Sequence, residues 1–376
     1  MRIHSPHRSA PGLLVAAALL AAAGAVSLDA GARRDRTAAA AANPRMEAAA
    51  LMARSLASIK ALRLEKGLPI DPALDPNETG IIGEEFTPLT TSLGDAAAKR
   101  TAANPAFAGV VAGYFERAGL KPGDAVAIGG SGSFPAFVLA ALCAARALDL
   151  RPVLIYSVGS SMYGANIPGF TFIDMLARLR ANGLLPYAIE AVAPGGERDT
   201  GRGVLFDEEG TTLVDEARRS GLPLIEGATL ADRIRRRLQI YDAAADGRPL
   251  RCFVNVGGAT ANYGDTEASL EVPNGLVPKL PSLPSSPSRG LLFEFAARGV
   301  PVVHLLFVKG LARDNGLPFD PVPFPPLSSV EAPFGFAQGR KASTSIPHEA
   351  RGLLWPEPAE GSPRRVATAR TDSRPF

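Results

Sequence analysis

The strongest constraint on this chain is a repeated unit: a short, unbroken apolar segment, a turn rich in Gly and Ser, then an apolar helical pattern. From about residue 90, apolar segments at 125–128, 153–156, 187–192, 222–225, 252–256 and 300–307 alternate with helical patterns near 135–148, 172–181, 208–220 and 229–244. Strands with one wet face alternate apolar and polar residues, whereas strands covered on both faces read as continuous apolar runs. The pattern predicts an α/β fold, a doubly wound and mostly parallel sheet in a three-layer αβα arrangement, with right-handed crossovers carrying helices to both faces.

Four regions follow from changes in composition. Residues 1–42 read as a signal peptide or signal anchor plus a linker. Arg2, His4, His7 and Arg8 precede a small-apolar run over 12–28, Ala25-Val26-Ser27 offers a cleavage site, and Arg33, Arg34 and Arg36 follow. The run is at the short end for a spanning helix. It places the rest of the chain at the cell envelope, anchored in the inner membrane or exported to its outer side. Residues 43–89 hold a helix and an extended connector. Asn43 is its N-cap, Pro44 its first residue, Met52, Leu56, Ile59 and Leu62 its apolar face, and Gly67 its end. Residues 90–327 form the α/β domain, interrupted by a Pro/Ser insertion at 278–288. Residues 328–376 are rich in Pro, Arg, Ser and Gly without periodicity and read as a disordered or aberrant tail.

With 46% hydrophobic and 20% charged residues, the 376-residue chain can bury a substantial core. A net charge of +3 is too small for a nucleic-acid partner to be read from charge. Cys143 and Cys252 both sit in apolar patterns and read as buried thiols. No Cys/His spacing suggests a metal, and no cofactor is expected.

In a doubly wound sheet, ligands bind beyond the carboxyl ends of the strands. Here those ends share one chemistry. The candidate binding residues are Gly130, Ser131, Gly132 and Ser133 after the first strand, Ser160, Ser161 and Asn166 after the second, and Asp199 and Arg202 after the third. Asn255, Gly257 and Gly258 follow the 252–256 strand, and Lys309 follows the last. Glycine lets backbone N–H groups approach a ligand, Ser and Asn add short polar groups, and a helix N-terminus favours an anion. Arg202, Lys309 and Arg313 would add positive charge.

Gly129-Gly130-Ser131-Gly132-Ser133 matches a nucleophile elbow except at its last position, which makes Ser131 the candidate catalytic residue. Of the four histidines, only His304 lies within the domain, in an apolar run that reads as core; a Ser/Lys arrangement using Lys99 or Lys309 is the alternative. Ser92 and Asp95 read as a capping box, and Asp95 with Lys99 as an ion pair one helical turn apart. Asp174, Asp199 and Asp265 could assemble an oxygen-ligand magnesium site, but nothing in their spacing requires one.

Several segments together resemble one family. They include Arg63-Leu64-Glu65-Lys66-Gly67-Leu68-Pro69-Ile70-Asp71-Pro72, Thr90-Thr91-Ser92-Leu93-Gly94-Asp95, Gly130-Ser131-Gly132-Ser133-Phe134-Pro135 and Ser160-Ser161-Met162-Tyr163-Gly164-Ala165-Asn166. Gly201-Arg202-Gly203, Phe253-Val254-Asn255-Val256-Gly257-Gly258 and Pro301-Val302-Val303-His304-Leu305-Leu306 extend the likeness, which runs over about 43–321. The chain resembles the poly-γ-glutamate system proteins of bacterial capsule and polyglutamate clusters; the 278–288 insertion and the segment after 328 depart from that pattern. The resemblance implies an accessory role in poly-γ-glutamate synthesis or export, beside a membrane synthase complex, with the polymer or a small carboxylate or phosphate as ligand. It implies no reaction. Two other readings stand beside it: a serine-type hydrolase or amidase acting on the polymer, and a sugar-phosphate-binding, isomerase-like domain.

Overall fold

A computed structural model describes residues 43–205 and 211–327. The 12–28 apolar run and the 328–376 tail lie outside the described residues, so the expectations placed on them are not addressed by the fold.

The first helix, α1 (Pro44–Glu65), starts where the sequence indicates: the Asn43 side chain accepts from the Arg45 N–H. Met52, Leu56, Ile59 and Leu62 are buried. The connector after it is fixed by its own polar groups. Arg63, itself buried, donates to the carbonyls of Pro69, Gly80 and Ile82, and the Asp75 carboxylate accepts from Thr79 and the Gly80 N–H. Strand β1 (Thr90–Ser92), α2 (Ala96–Ala102) and α3 (Ala106–Arg117) follow. Then come β2 (Ala125–Ser131), α4 (Pro135–Ala147), β3 (Arg151–Ser157), β4 (Ser160–Ser161), α5 (Phe172–Ala181) and β5 (Ile189–Ala193). The chain continues through α6 (Thr211–Arg219), α7 (Leu230–Ala244), β6 (Leu250–Val256), α8 (Thr260–Tyr263), β7 (Gly275–Val277), α9 (Leu291–Ala297), β8 (Val302–Leu305) and α10 (Val308–Asp314).

Six strands form a mixed, mostly parallel sheet in the order β5-β3-β2-β6-β8-β7, with only β7 antiparallel. Side chains alternate between two cores, as strand geometry requires. Val126, Ile128, Leu154, Tyr156, Cys252 and Val254 pack with α1, α3, α4 and α5. Ala127, Val153, Ile155, Ala191, Phe253 and Val302 pack with α7 and α9. Helices therefore lie against both faces.

Two expected strands are shorter than the sequence suggests. Residues 222–225 give only a bridge between Leu224 and Val192, because Pro223 has no N–H and can offer the sheet only its carbonyl. The 300–307 run yields β8 alone, since Val300 bonds back to Phe295 and the chain turns into α10 after Phe307. The small β1–β4 sheet and the edge strand β7 had no sequence signal, being two or three residues long. Among the described residues no helix is long and apolar enough to cross a membrane.

Candidate functional site

β2 occupies the centre of the sheet. From it the chain moves one way through β3 and β5, then returns to β2's other side with β6 and β8. The loops after β2 and β6 consequently lead to opposite faces and leave a crevice between them. A cavity of about 870 Å³ opens there, lined by the tips of all five parallel strands: Ser131 and Ser133, Ser157, Gly195 and Gly196, Gly258, and Leu306 to Lys309. β4 adds Ser161, and the β1–α2 corner adds Thr91, Asp95 and Lys99. Across the opening, Thr260 Oγ1 donates to Gly196 O at 3.0 Å and ties the β6 loop to the β5 loop.

Lys99 is the central side chain of this cavity and is only 3% exposed. Its Nζ lies 2.6 Å from Ser161 Oγ and also contacts the Ser133 carbonyl oxygen. Burial pushes its pKa down to about 7, against the pull of Asp95 in the other direction. The Phe134 ring, its centroid 3.8 Å from Nζ, is a contact that favours the charged form. Both expectations about this segment need correction. Asp95, not Ser92, is the N-cap of α2, accepting from the N–H groups of Ala97 and Ala98. Lys99 makes no ion pair with Asp95; α2 buries the face that carries Lys99 and Ala102, so the amine reaches inward to the serines.

Helix α2 is held from behind. Arg100 pairs with Asp320 at 2.5 Å, and the Asp320 N–H donates to Thr101 Oγ1. Asn77 bonds Pro321 and Phe324, so the 317–327 segment straps both the connector and the lysine helix.

Ser131 also lines the cavity, but its hydroxyl donates to Val256 O at 3.3 Å, and among the described residues no base bonds to it. His304 is buried one layer below. Its Nδ1 lies 3.0 Å from Asn255 Nδ2, so it accepts there, and burial lowers its pKa to about 4. Asn255 also donates to Gly257 O and braces the β6 loop from beneath.

Of the residues expected at the site, Ser131, Ser133, Ser161, Gly258 and Lys309 line the cavity. Gly130, Gly132, Ser160, Asn166, Asp199, Asn255 and Gly257 do not; they build its frame. A Cβ on Gly132 would sit 2.5 Å from Val158 O, so only glycine lets the β2 and β3 loops meet. Ser160 Oγ donates to its neighbour's carbonyl at Ser161. Asn166 stitches Glu84 to the β4 loop, accepting from its N–H and donating to its carbonyl. Asp199 is fully buried and pairs with Arg237 at 2.5 Å, while Arg237 also reaches Ser157 Oγ. Arg202 is exposed and outside the lining; its carbonyl accepts from the Glu197 N–H. Arg313 pairs with Asp314.

The cavity's other charges are Arg198 and Lys309, and Asp95, Glu197 and Asp265, all of them exposed. Asp174, Asp199 and Asp265 each have a separate partner in Arg219, Arg237 and Ser286. Among the described residues no three His, Cys, Asp or Glu side chains are placed to hold a metal ion. Both cysteines are buried and free. Comparison with family models, curated proteins and solved structures finds no match to the chain.

Proposed function

We propose that this protein binds a carboxylate-bearing molecule in the cavity at the carboxyl ends of its parallel strands, and that the molecule is poly-γ-glutamate or a γ-glutamyl fragment of it. We read the architecture as a doubly wound, three-layer α/β domain. The observation that carries the reading is the cavity at the chain-reversal point, with Lys99 in its floor and Arg198 and Lys309 at its edge. Helix α4 adds to this: it begins directly behind Ser133 and Phe134 of the cavity wall with no side-chain cap, so its positive dipole end favours an anion there.

The mixed sign of the rim favours an amino-acid polymer over a phosphate. Asp95, Glu197 and Asp265 would repel a sugar phosphate, whereas a γ-glutamyl chain brings carboxylates for the cations and N–H groups or an ammonium for the acids. The pathway assignment rests on the sequence resemblance: an accessory protein of polymer synthesis or export at the cell envelope, beside the synthase complex.

Calorimetry with γ-glutamyl di- and tripeptides against sugar phosphates tests the ligand. Saturable binding of the peptides, weakened about tenfold or more in Lys309→Glu, is expected. No heat from the peptides at millimolar concentration would remove the ligand assignment. Deleting the gene should lower polymer output, and unchanged output would remove the pathway.

A further inference from the structure

Ser161 and Lys99 stand as a nucleophile already in contact with its base, and we propose that Ser161 is the attacking group of an acyl-transfer activity on small amides or esters, with Lys99 carrying the proton. The pair sits in the ligand cavity but does not depend on the identity of the ligand.

The geometry assigns the roles. A neutral amine has two protons and one lone pair, whereas a carbonyl oxygen can only accept. The Ser133 carbonyl therefore takes one Nζ proton; as an ammonium Lys99 also donates to Ser161 Oγ 2.6 Å away, and once it is neutral its lone pair stands at the same distance to accept the hydroxyl proton. Ser161 itself is held on three sides. Its N–H donates to Ser133 Oγ at 3.1 Å, its carbonyl accepts from Ser160 Oγ at 2.8 Å, and β4 pairs with β1. It is 7% exposed and lines the cavity, so a substrate can reach it. The charged groups on the same cavity are Asp95 from the α2 cap, Glu197 and Arg198 from the β5 loop, Asp265, and Lys309 of α10; among the described residues none of them bonds to Lys99.

In the first step the Ser161 Oγ proton passes to Lys99 Nζ while Oγ forms a bond to the substrate carbonyl carbon. The carbon–nitrogen or carbon–oxygen bond then breaks, and the leaving group takes the proton from Lys99. Water attacks the acyl-serine, giving its proton to Lys99. The acid departs, the proton returns to Ser161 Oγ, and nothing is oxidised or reduced. If the preceding ligand assignment holds, the bond cleaved is a γ-glutamyl amide.

The full chain treated with a fluorophosphonate provides the test, with the adduct located by peptide mass spectrometry. The expected result is an adduct on Ser161, formed at a rate that rises through pH about 7 as Lys99 loses its proton. Ser161→Ala should give none, and Lys99→Arg, which keeps a cation but cannot act as a base, should react roughly 100-fold more slowly or less. Circular dichroism on each variant separates lost chemistry from lost fold. A folded wild type that stays unmodified from pH 6 to 9, or an adduct that persists in Ser161→Ala, would overturn the proposal. Peptide binding without an adduct removes the dyad and leaves the ligand reading; an adduct without peptide binding does the reverse.

Discussion

Two serine corners face the same cavity and differ in what lies behind them. At the end of β2, Ser131 sits in the more suggestive motif, yet its hydroxyl is occupied by the Val256 carbonyl, and the domain's one described histidine faces Asn255 in the layer below. At β4, Ser161 sits in no recognised motif, yet a buried lysine is in contact with it. A short motif can present a hydroxyl. Whether that hydroxyl has a base depends on what the rest of the chain folds against it.

The sharpest way to break this contrast is to exchange the roles of the corners. Ser161→Ala is expected to abolish fluorophosphonate labelling, whereas Ser131→Ala loses one hydrogen bond and should slow it by less than about tenfold. Equal losses in the two variants would mean that the corners act as one unit.

Next in size is the pH dependence of stability at the lysine corner. Lys99 titrates at about 7 in the fold and at its ordinary 10.5 when unfolded. Between those values the unfolded chain binds the extra proton, so stability rises with pH over the window, by an amount on the order of 4 kcal/mol. Lys99→Met should remove that rise in denaturant titrations at pH 7 and pH 10; an unchanged slope would show that the amine is not buried as described.

The histidine corner has its own window. His304 is lowered from 6.5 to about 4 by burial, so the unfolded chain takes up its proton first as pH falls. Stability should drop between pH 6.5 and 4 by roughly 3 kcal/mol, then level off from this source. His304→Gln should flatten that drop while leaving the rise above pH 7 intact, which separates the two corners by urea melts alone.

The smallest expected effect concerns the frame. Gly132→Ala places a methyl against the Val158 carbonyl beside the Ser161 corner, and Gly257→Ala places one against Ser131 Oγ at a backbone φ of +75°. Each should cost about 1–3 kcal/mol in thermal unfolding. Gly132→Ala should slow labelling of Ser161 more than Gly257→Ala does, if the β2–β4 contact is what positions the nucleophile.

Much of the fold was legible along the chain. Continuous apolar runs marked strands covered on both sides, and the helix starts at Asn43 and Thr229 were carried by side chains that reach only two or three residues ahead. Such signals fail where pairing is brief or a residue lacks its N–H, as at β1, β4, β7 and Pro223. The site was half legible. Glycine and serine at the strand ends announced a polar edge, but Asn166, Asp199 and Asn255 looked like ligands and turned out to be braces, because each bonds to residues far away in the chain.

The sequence by itself determined the alternation of strand and helix, the covering of both sheet faces, and the polar character of the strand tips, since each depends on the local order of side chains. Only the tertiary structure decided which serine meets a base. Lys99 and Ser161 lie 62 residues apart, and their contact depends on the β1–β4 register, on α2 burying its lysine face, and on the 317–327 strap behind that helix. A lysine on a helix reads as a surface charge until the packing that removes its water is known, and that desolvation is what turns it from a cation into a base.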